Sequence, residues 1–256
     1  MIGVLALILI VLLIVLGGER GSRSAVALLE NIVFFSAAMI LMSAGCPPMA
    51  VVLVAGAAIS YGTIIGQNGK NKKTVAALTA TMIVMLVLGT VIWIFLWKSG
   101  GGGLNEIQAS QDDVSYYYNV NIGISMLQAA VSAVLLSTLG AVMDTALSVT
   151  SSVYEVWRHC QNAEPPALAE SGFQVGRAII GTTVNTLLFA YLGESILLFL
   201  YLKTGRYSVE MILNSKFLFQ GLTSMLFGAV ACLLTVPVSI ACIIRRIEYD
   251  TTKKTG

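Results

Sequence analysis

The chain has 256 residues, of which 57% are hydrophobic and only 11% charged, with a formal net charge of +2. Soluble domains carry roughly 25% charged residues, so this composition excludes a soluble globular protein. The near-neutral balance, with no basic stripe, excludes a nucleic-acid binder. A bilayer crossing needs about 20 mainly apolar residues, and such runs recur along the chain. The expected fold class is therefore all-α: a polytopic transmembrane helix bundle with no sizeable soluble domain.

Taken in order, the apolar runs predict eight spans. The first covers Ile2 to about Gly18. It lacks a basic n-region and a small-x-small cleavage site, so it reads as a retained helix and not as a signal peptide. The second runs from Ser24 to Gly45 and stops at Cys46-Pro47-Pro48. The third, Met49 to Gly66, carries Ala55, Gly56, Ala57, Ala58, Ser60 and Gly62, small residues that let helix backbones approach closely. After a basic loop, the fourth spans Thr74 to Trp97, with Trp93, Trp97 and Lys98 as an interfacial anchor.

The chain then breaks at residues 99–119. Gly100–Gly103 predict a flexible hinge, Asn105–Asp113 a polar stretch, and Tyr116, Tyr117 and Tyr118 an interfacial cluster. Residues 120–158 would reach about 58 Å as one helix, so a turn near Gly140 is expected to split them into the fifth and sixth spans. The seventh, Val175 to Leu202, would reach about 42 Å against a ~30 Å core. A break or kink is expected in it at Gly193-Glu194-Ser195. The eighth runs from Phe217 to Ile244 and contains Pro237. The layout is thus a four-span half (1–98), a connection (99–119), a second four-span half (120–246) and a basic tail (247–256). With eight spans the Lys and Arg residues divide seven against eight, which leaves orientation open.

Chemistry-bearing motifs are sparse. Cys46, Cys160, Cys232 and Cys242 have no CxxC spacing, and His159 is the single histidine, so no metal site is expected. Cys232 and Cys242 read as small packing residues. With no phosphate loop, dinucleotide fingerprint or hydrolase elbow, neither a cofactor nor an enzymatic activity is expected.

The informative residue is Asp144, near the middle of an apolar run. At 100° per residue, Asp144, Ser148, Ser151 and Glu155 share one helical stripe, with Thr145 beside the carboxylate. A carboxylate at this depth costs at least ~2.5 kcal/mol on insertion scales and is expected to face a bundle interior or a wet cavity. The seventh span supplies counterparts in Arg177, Thr182 and Asn185. A structural role, with Asp144 hydrogen-bonded to Asn185 or the threonines, stands beside a functional one as proton or ion relay. Buried ion pairs add little net stability, which favours function. Arg177 is near enough to the boundary to snorkel. Glu30 and Glu194 are secondary candidates: Glu30, with Asn31, fits an interfacial position, and Glu194 fits the kink.

These residues carry a resemblance. Leu139-Gly140-Ala141-Val142-Met143-Asp144, the turn ending at Tyr154-Glu155, Gly176-Arg177, Gly181-Thr182, Asn185-Thr186-Leu187-Leu188, Ala190-Tyr191-Leu192-Gly193 and Thr235-Val236-Pro237 resemble the YibE/F family of bacterial multi-pass membrane proteins. The match is densest over residues 120–243. The resemblance implies a bacterial cell (cytoplasmic) membrane location and a heteromeric partner, because paralogous members often occur side by side. Longer members carry an extracytoplasmic domain after the first helix, which this chain lacks. The order of motifs in the second half is also similar to the Sec accessory subunits SecD and SecF. There an intramembrane Asp-Thr takes the place of Asp144-Thr145, and an Arg opens the next helix as Arg177 does. That likeness implies a proton path by analogy only. Two functions follow as expectations: a subunit of an ion- or proton-coupled transporter, or a non-transporting scaffold whose polar core fixes assembly with a partner.

Overall fold

The computed structural model describes residues 1–103, 124–160, 164–204 and 208–255, and every regular element in them is helical. The polar stretch Asn105–Asp113 and the Tyr116–Tyr118 cluster lie outside the described residues. Six of the helices are long and apolar enough to cross a membrane, in place of the eight expected.

Helix α1 covers Ile2–Ser43 and merges the first two expected spans across a kink at Gly18, whose φ of 54° is left-handed. Glycine adopts that conformation without a Cβ penalty. Gly21 completes the kink, since a Cβ there would collide with the Leu13 carbonyl. The chain turns at Gly45 (φ 89°) and re-enters with Pro48 at the first position of α2, Pro48–Tyr61, where a missing N–H costs nothing. A π-helical turn, Gly62–Gly66, prolongs α2.

Helix α3, Lys72–Ser99, starts at an Asn71–Thr74 capping box and stops at left-handed Gly100. The glycine run that follows is docked, contrary to the expected flexible hinge. Gln220 donates to the Gly101 and Gly103 carbonyls at 3.1 and 2.8 Å, and Lys216 to Gly102 at 2.6 Å. A Cβ on Gly101 would sit 2.6 Å from the Phe219 ring, so a larger residue would not dock there.

The expected turn near Gly140 does not form. Helix α4 runs unbroken from Met126 to His159. A lone helical glycine costs about 1 kcal/mol, whereas opening the helix in lipid exposes backbone groups at several kcal/mol each. The extra length ends in Trp157, Arg158 and His159, residue types suited to the membrane–water interface. The same argument bears on the second expected interruption: α5, Pro165–Thr204, stays helical through Gly193-Glu194-Ser195, so the chain does not break there. A short α6, Val209–Leu213, leads into α7, Lys216–Thr255, which holds Pro237 within it.

Helices α3, α4 and α7 form the core, α5 packs on α4 and α7, α2 on α4, and α1 on α2. The inner face of α3 is Ala77, Ala80, Val84, Leu88 and Ile92, all buried and at helical spacing against Val131, Leu135 and Val142 of α4. Lipid tails are as apolar as these side chains, so association rests on close fit. That fit is close at Gly172 and Gly176, a G-x-x-x-G pair on α5. Cβ atoms there would lie 2.7 Å from Ile240 and 2.5 Å from Val236 of α7.

The bundle has two unlike ends. Lys73 of α3 reaches Glu155 of α4 at 3.6 Å, and Lys72 sits 4.7 Å over the Trp157 ring. Arg245 and Arg246 of α7 line the same cleft as Lys70 and Lys72. Arg23 lines a hollow with Gly66 at the end of α2. The other end of the bundle, where Gly101–Gly103 meet α7, offers Lys98 and Lys216.

Candidate functional site

Helix α4 is buried on the side that meets α3 and α7, and its remaining face is narrow and chemically distinct. Ala133, Ser137, Gly140, Asp144 and Ser148 are its exposed residues in mid-helix, spaced three or four apart on one stripe. Ser151 and Glu155 continue the stripe, half-buried, toward the basic end. The predicted alignment of Asp144, Ser148, Ser151 and Glu155 is therefore present, but it faces outward from this chain and not into the bundle. Thr145, one position on, is buried and donates to the Ala141 carbonyl at 2.8 Å. It lies beside the buried Cys232 of α7. Cys232 thus fills the packing role expected of it.

The contacts of Gly172 with Val153 and of Gly228 with Thr138 and Leu187 fix the register of α4, α5 and α7. Counting from them along antiparallel α4 and α5 brings Gly181 level with Asp144, and Arg177 level with Ser148. Arg177, Thr182 and Asn185 are exposed as well. Thr182 donates back to the Ile179 carbonyl at 2.9 Å. Among the described residues, no hydrogen bond or ion pair joins Asp144 to Arg177, Thr182 or Asn185. The direct link expected between these groups is therefore not made among the described residues. Their common depth is what the structure supplies.

Glu155 belongs to a different setting, the ion pair with Lys73 at the basic end. Glu30 lies against the π-turn, with a carboxylate oxygen 3.3 Å from where a Cβ on Gly62 would be. Next to it the Asn31 amide donates to the Thr63 hydroxyl at 3.0 Å.

Glu194 marks a feature that sequence reasoning assigned to a kink. It lines two adjoining cavities of ≈ 540 and ≈ 580 Å³ between α4, α5 and α7, toward the Gly101–Gly103 end. Ser137, Ser224 and Tyr191 are among the polar groups there, and the Tyr191 hydroxyl reaches the Leu218 carbonyl at 3.5 Å. The Ser195 hydroxyl is buried beside Tyr191. Gly221 makes room for the arrangement, because any Cβ there would run into the Tyr191 ring. The signal was legible in retrospect: Tyr191, Glu194 and Ser195 recur at three- and four-residue spacing, as do Gln220, Thr223 and Ser224. The cavity reaches Ser137, Thr138 and Gly228. Ser137 is seven residues, or about 10 Å, from Asp144 along the same stripe.

Among the described residues no group of His, Cys, Asp or Glu is arranged to hold a metal ion.

With six helices among the described residues long and apolar enough to cross a membrane, the chain belongs to the class of polytopic helical membrane proteins. The sequence profile of the family described as YibE/F-like protein matches residues 5–248, and the chain belongs to that family. No curated protein and no solved structure matches it, so neither comparison extends the likeness to the Sec accessory subunits.

Proposed function

We propose that the chain is one subunit of an ion- or proton-coupled transporter or exporter of the bacterial cell membrane, completed by a paralogous YibE/F-like membrane protein. Asp144 is its intramembrane titrating group. The observation that carries this reading is the placement of Asp144: mid-helix, with no hydrogen bond or ion pair among the described residues, on an outward stripe of small and hydroxyl residues. Against lipid, a carboxylate there costs at least ~2.5 kcal/mol. A second chain laid on this face, bringing its own polar groups and water, removes that cost. Such a contact would place Asp144, Ser148, Arg177, Thr182 and Asn185 in an interface at one depth. The Glu194 cavities supply the start of a polar approach from one end, and the stripe continues it toward Asp144.

The span count bears on orientation. With α4 unbroken, the described residues place Arg20, Arg23, Lys70, Lys72, Lys73, Arg158, Arg245, Arg246, Lys253 and Lys254 at one end, against Lys98, Lys203 and Lys216 at the other. The even division of the eight-span reading disappears. By the positive-inside rule the basic end faces the cytoplasm, and the Glu194 cavities open toward the opposite side.

The cavity stops about two helical turns short of Asp144, and this favours a second reading, a scaffold whose polar stripe only fixes assembly. One experiment separates the two. The chain is co-reconstituted with a longer YibE/F-like paralogue in vesicles, and proton flux under an imposed pH gradient is read with a trapped pH-sensitive dye. Asp144→Asn keeps shape and hydrogen bonding but cannot titrate. The relay reading expects the complex to assemble and the flux to vanish. Full flux with Asn at this position would leave Asp144 a structural residue.

A further inference from the structure

A site unconnected with Asp144 lies at the basic end. There a cleft of ≈ 650 Å³ separates the start of α3 from the end of α7. Its upper rim is cationic, with Lys70 and Lys72 on one side and Arg245 and Arg246 on the other; none of its lining residues is acidic. Arg245 and Arg246 are exposed and make no ion pair among the described residues. The nearby carboxylate of Glu155 is engaged by Lys73 at 3.6 Å. Lys72 is held over the Trp157 ring, so its cationic head is positioned at the rim.

Below the rim the chemistry changes. Val75, Thr79 and Ile83 repeat every fourth residue down one face of α3, with Cys242 opposite on α7. From Lys72 to Ile83 the groove descends about 16 Å along the helix, more than half the hydrocarbon thickness of a typical bilayer. A free anion would use only the rim. A molecule that uses both parts has a phosphate head and an apolar tail.

We propose that this cleft is a binding site for an anionic phospholipid of the surrounding leaflet. The phosphate sits among Lys70, Arg245 and Arg246, and one acyl chain lies along Val75, Thr79 and Ile83. Basic pockets between membrane helices recognise anionic head groups in this manner. The site lies at the opposite end of the bundle from the Glu194 cavities, and it does not depend on the reading of Asp144.

The test uses the full chain, purified in a mild detergent and stripped of endogenous lipid. Binding of fluorescently labelled phosphatidylglycerol is compared with that of phosphatidylcholine, and inorganic phosphate serves as a soluble competitor. The expected result is that phosphatidylglycerol binds at least tenfold tighter than phosphatidylcholine. The double variant Arg245→Gln, Arg246→Gln should lose roughly 30-fold, at about a fivefold factor per cation near an anionic head. Lys70→Gln alone should lose about fivefold on the same basis, which keeps the test open if the double variant misfolds. Lys98→Gln, at the other end, should change nothing. Ile83→Trp, filling the lower groove, should weaken the lipid and leave phosphate competition as it was. Equal binding of the two lipids, or indifference to both the arginine pair and Lys70, overturns the proposal. So does a phosphate competitor that displaces the lipid fully while Ile83→Trp has no effect, which would make the cleft a site for a soluble anion.

Discussion

The outer face of α1 and the outer face of α4 with α5 are exposed to a similar degree, and their chemistry is opposite. On α1 the uncovered residues are Leu5, Ile8, Leu12 and their neighbours, with Leu12 49% exposed. On α4 and α5 they include Asp144, Ser148, Arg177, Thr182 and Asn185. In water the first face would be the anomaly, as a large apolar patch awaiting a partner. In a bilayer the assignment reverses. Leucine against lipid is at home, and an aspartate at mid-depth is the group that needs company. Exposure alone therefore says little about where a membrane protein binds; polarity at depth carries the information.

The comparison can be broken most severely on α1. Leu12→Asp puts a charge on the face assigned to lipid and should cost about 2.5–3.5 kcal/mol of insertion, visible as a collapse of membrane-integrated protein in a glycosylation-mapping assay. If Leu12→Asp integrates normally, α1 is not lipid-facing and the contrast fails.

Next in size is Gly176→Leu, in the tight contact with Val236. Overpacking of this kind costs typically 1–3 kcal/mol, and it should release α5 from α7. Reduced yield of an α5–α7 cysteine crosslink would report the release, while an undiminished yield would show that the G-x-x-x-G fit is not what holds the two helices.

Asp144→Leu sharpens the comparison by its sign. On a covered face the change strands the partner's polar groups and should weaken the complex by about 1–3 kcal/mol. On a face that meets lipid it would instead stabilise the isolated chain, by the insertion cost it removes. Denaturant titration of the isolated chain, beside co-purification with the paralogue, distinguishes the two.

Smallest is Gly140→Ala. Nothing lies within 4 Å of a Cβ there, so the isolated chain should gain up to about 1 kcal/mol in thermal unfolding. A loss would indicate that the helix is interrupted at Gly140 after all.

The helical membrane class was legible from composition and run length alone, and the run Thr74 to Trp97 fell almost on α3. The stripe through Asp144 was legible from 100° periodicity. Its direction was not, because a lone sequence does not say which side of a helix its neighbours occupy. The turn at Gly140 and a chain break at 193–195 fail to form for one reason. Glycine and serine break helices readily in water, where a freed carbonyl finds a solvent partner. In lipid that partner is missing, and the helices continue. That misjudged turn at Gly140 also produced the tie in basic residues, since adding a span there moved the C-terminal arginines across the membrane. The Glu194 cavities escaped notice because they draw on three helices distant in sequence. The Gly172–Gly176 pair has a recognisable spacing, but the sequence does not say which helix that pair meets.

The central claim is that the polar face of α4 and α5 does not meet lipid in the native membrane. Spin labels placed at Ser148→Cys and at Leu12→Cys, with the four native cysteines replaced, test it through collision with molecular oxygen, which concentrates in the bilayer interior. The account predicts a markedly lower oxygen collision rate at position 148 than at position 12 when the paralogue is co-expressed. Equal rates at the two positions would place Asp144 and its stripe against lipid and contradict the account.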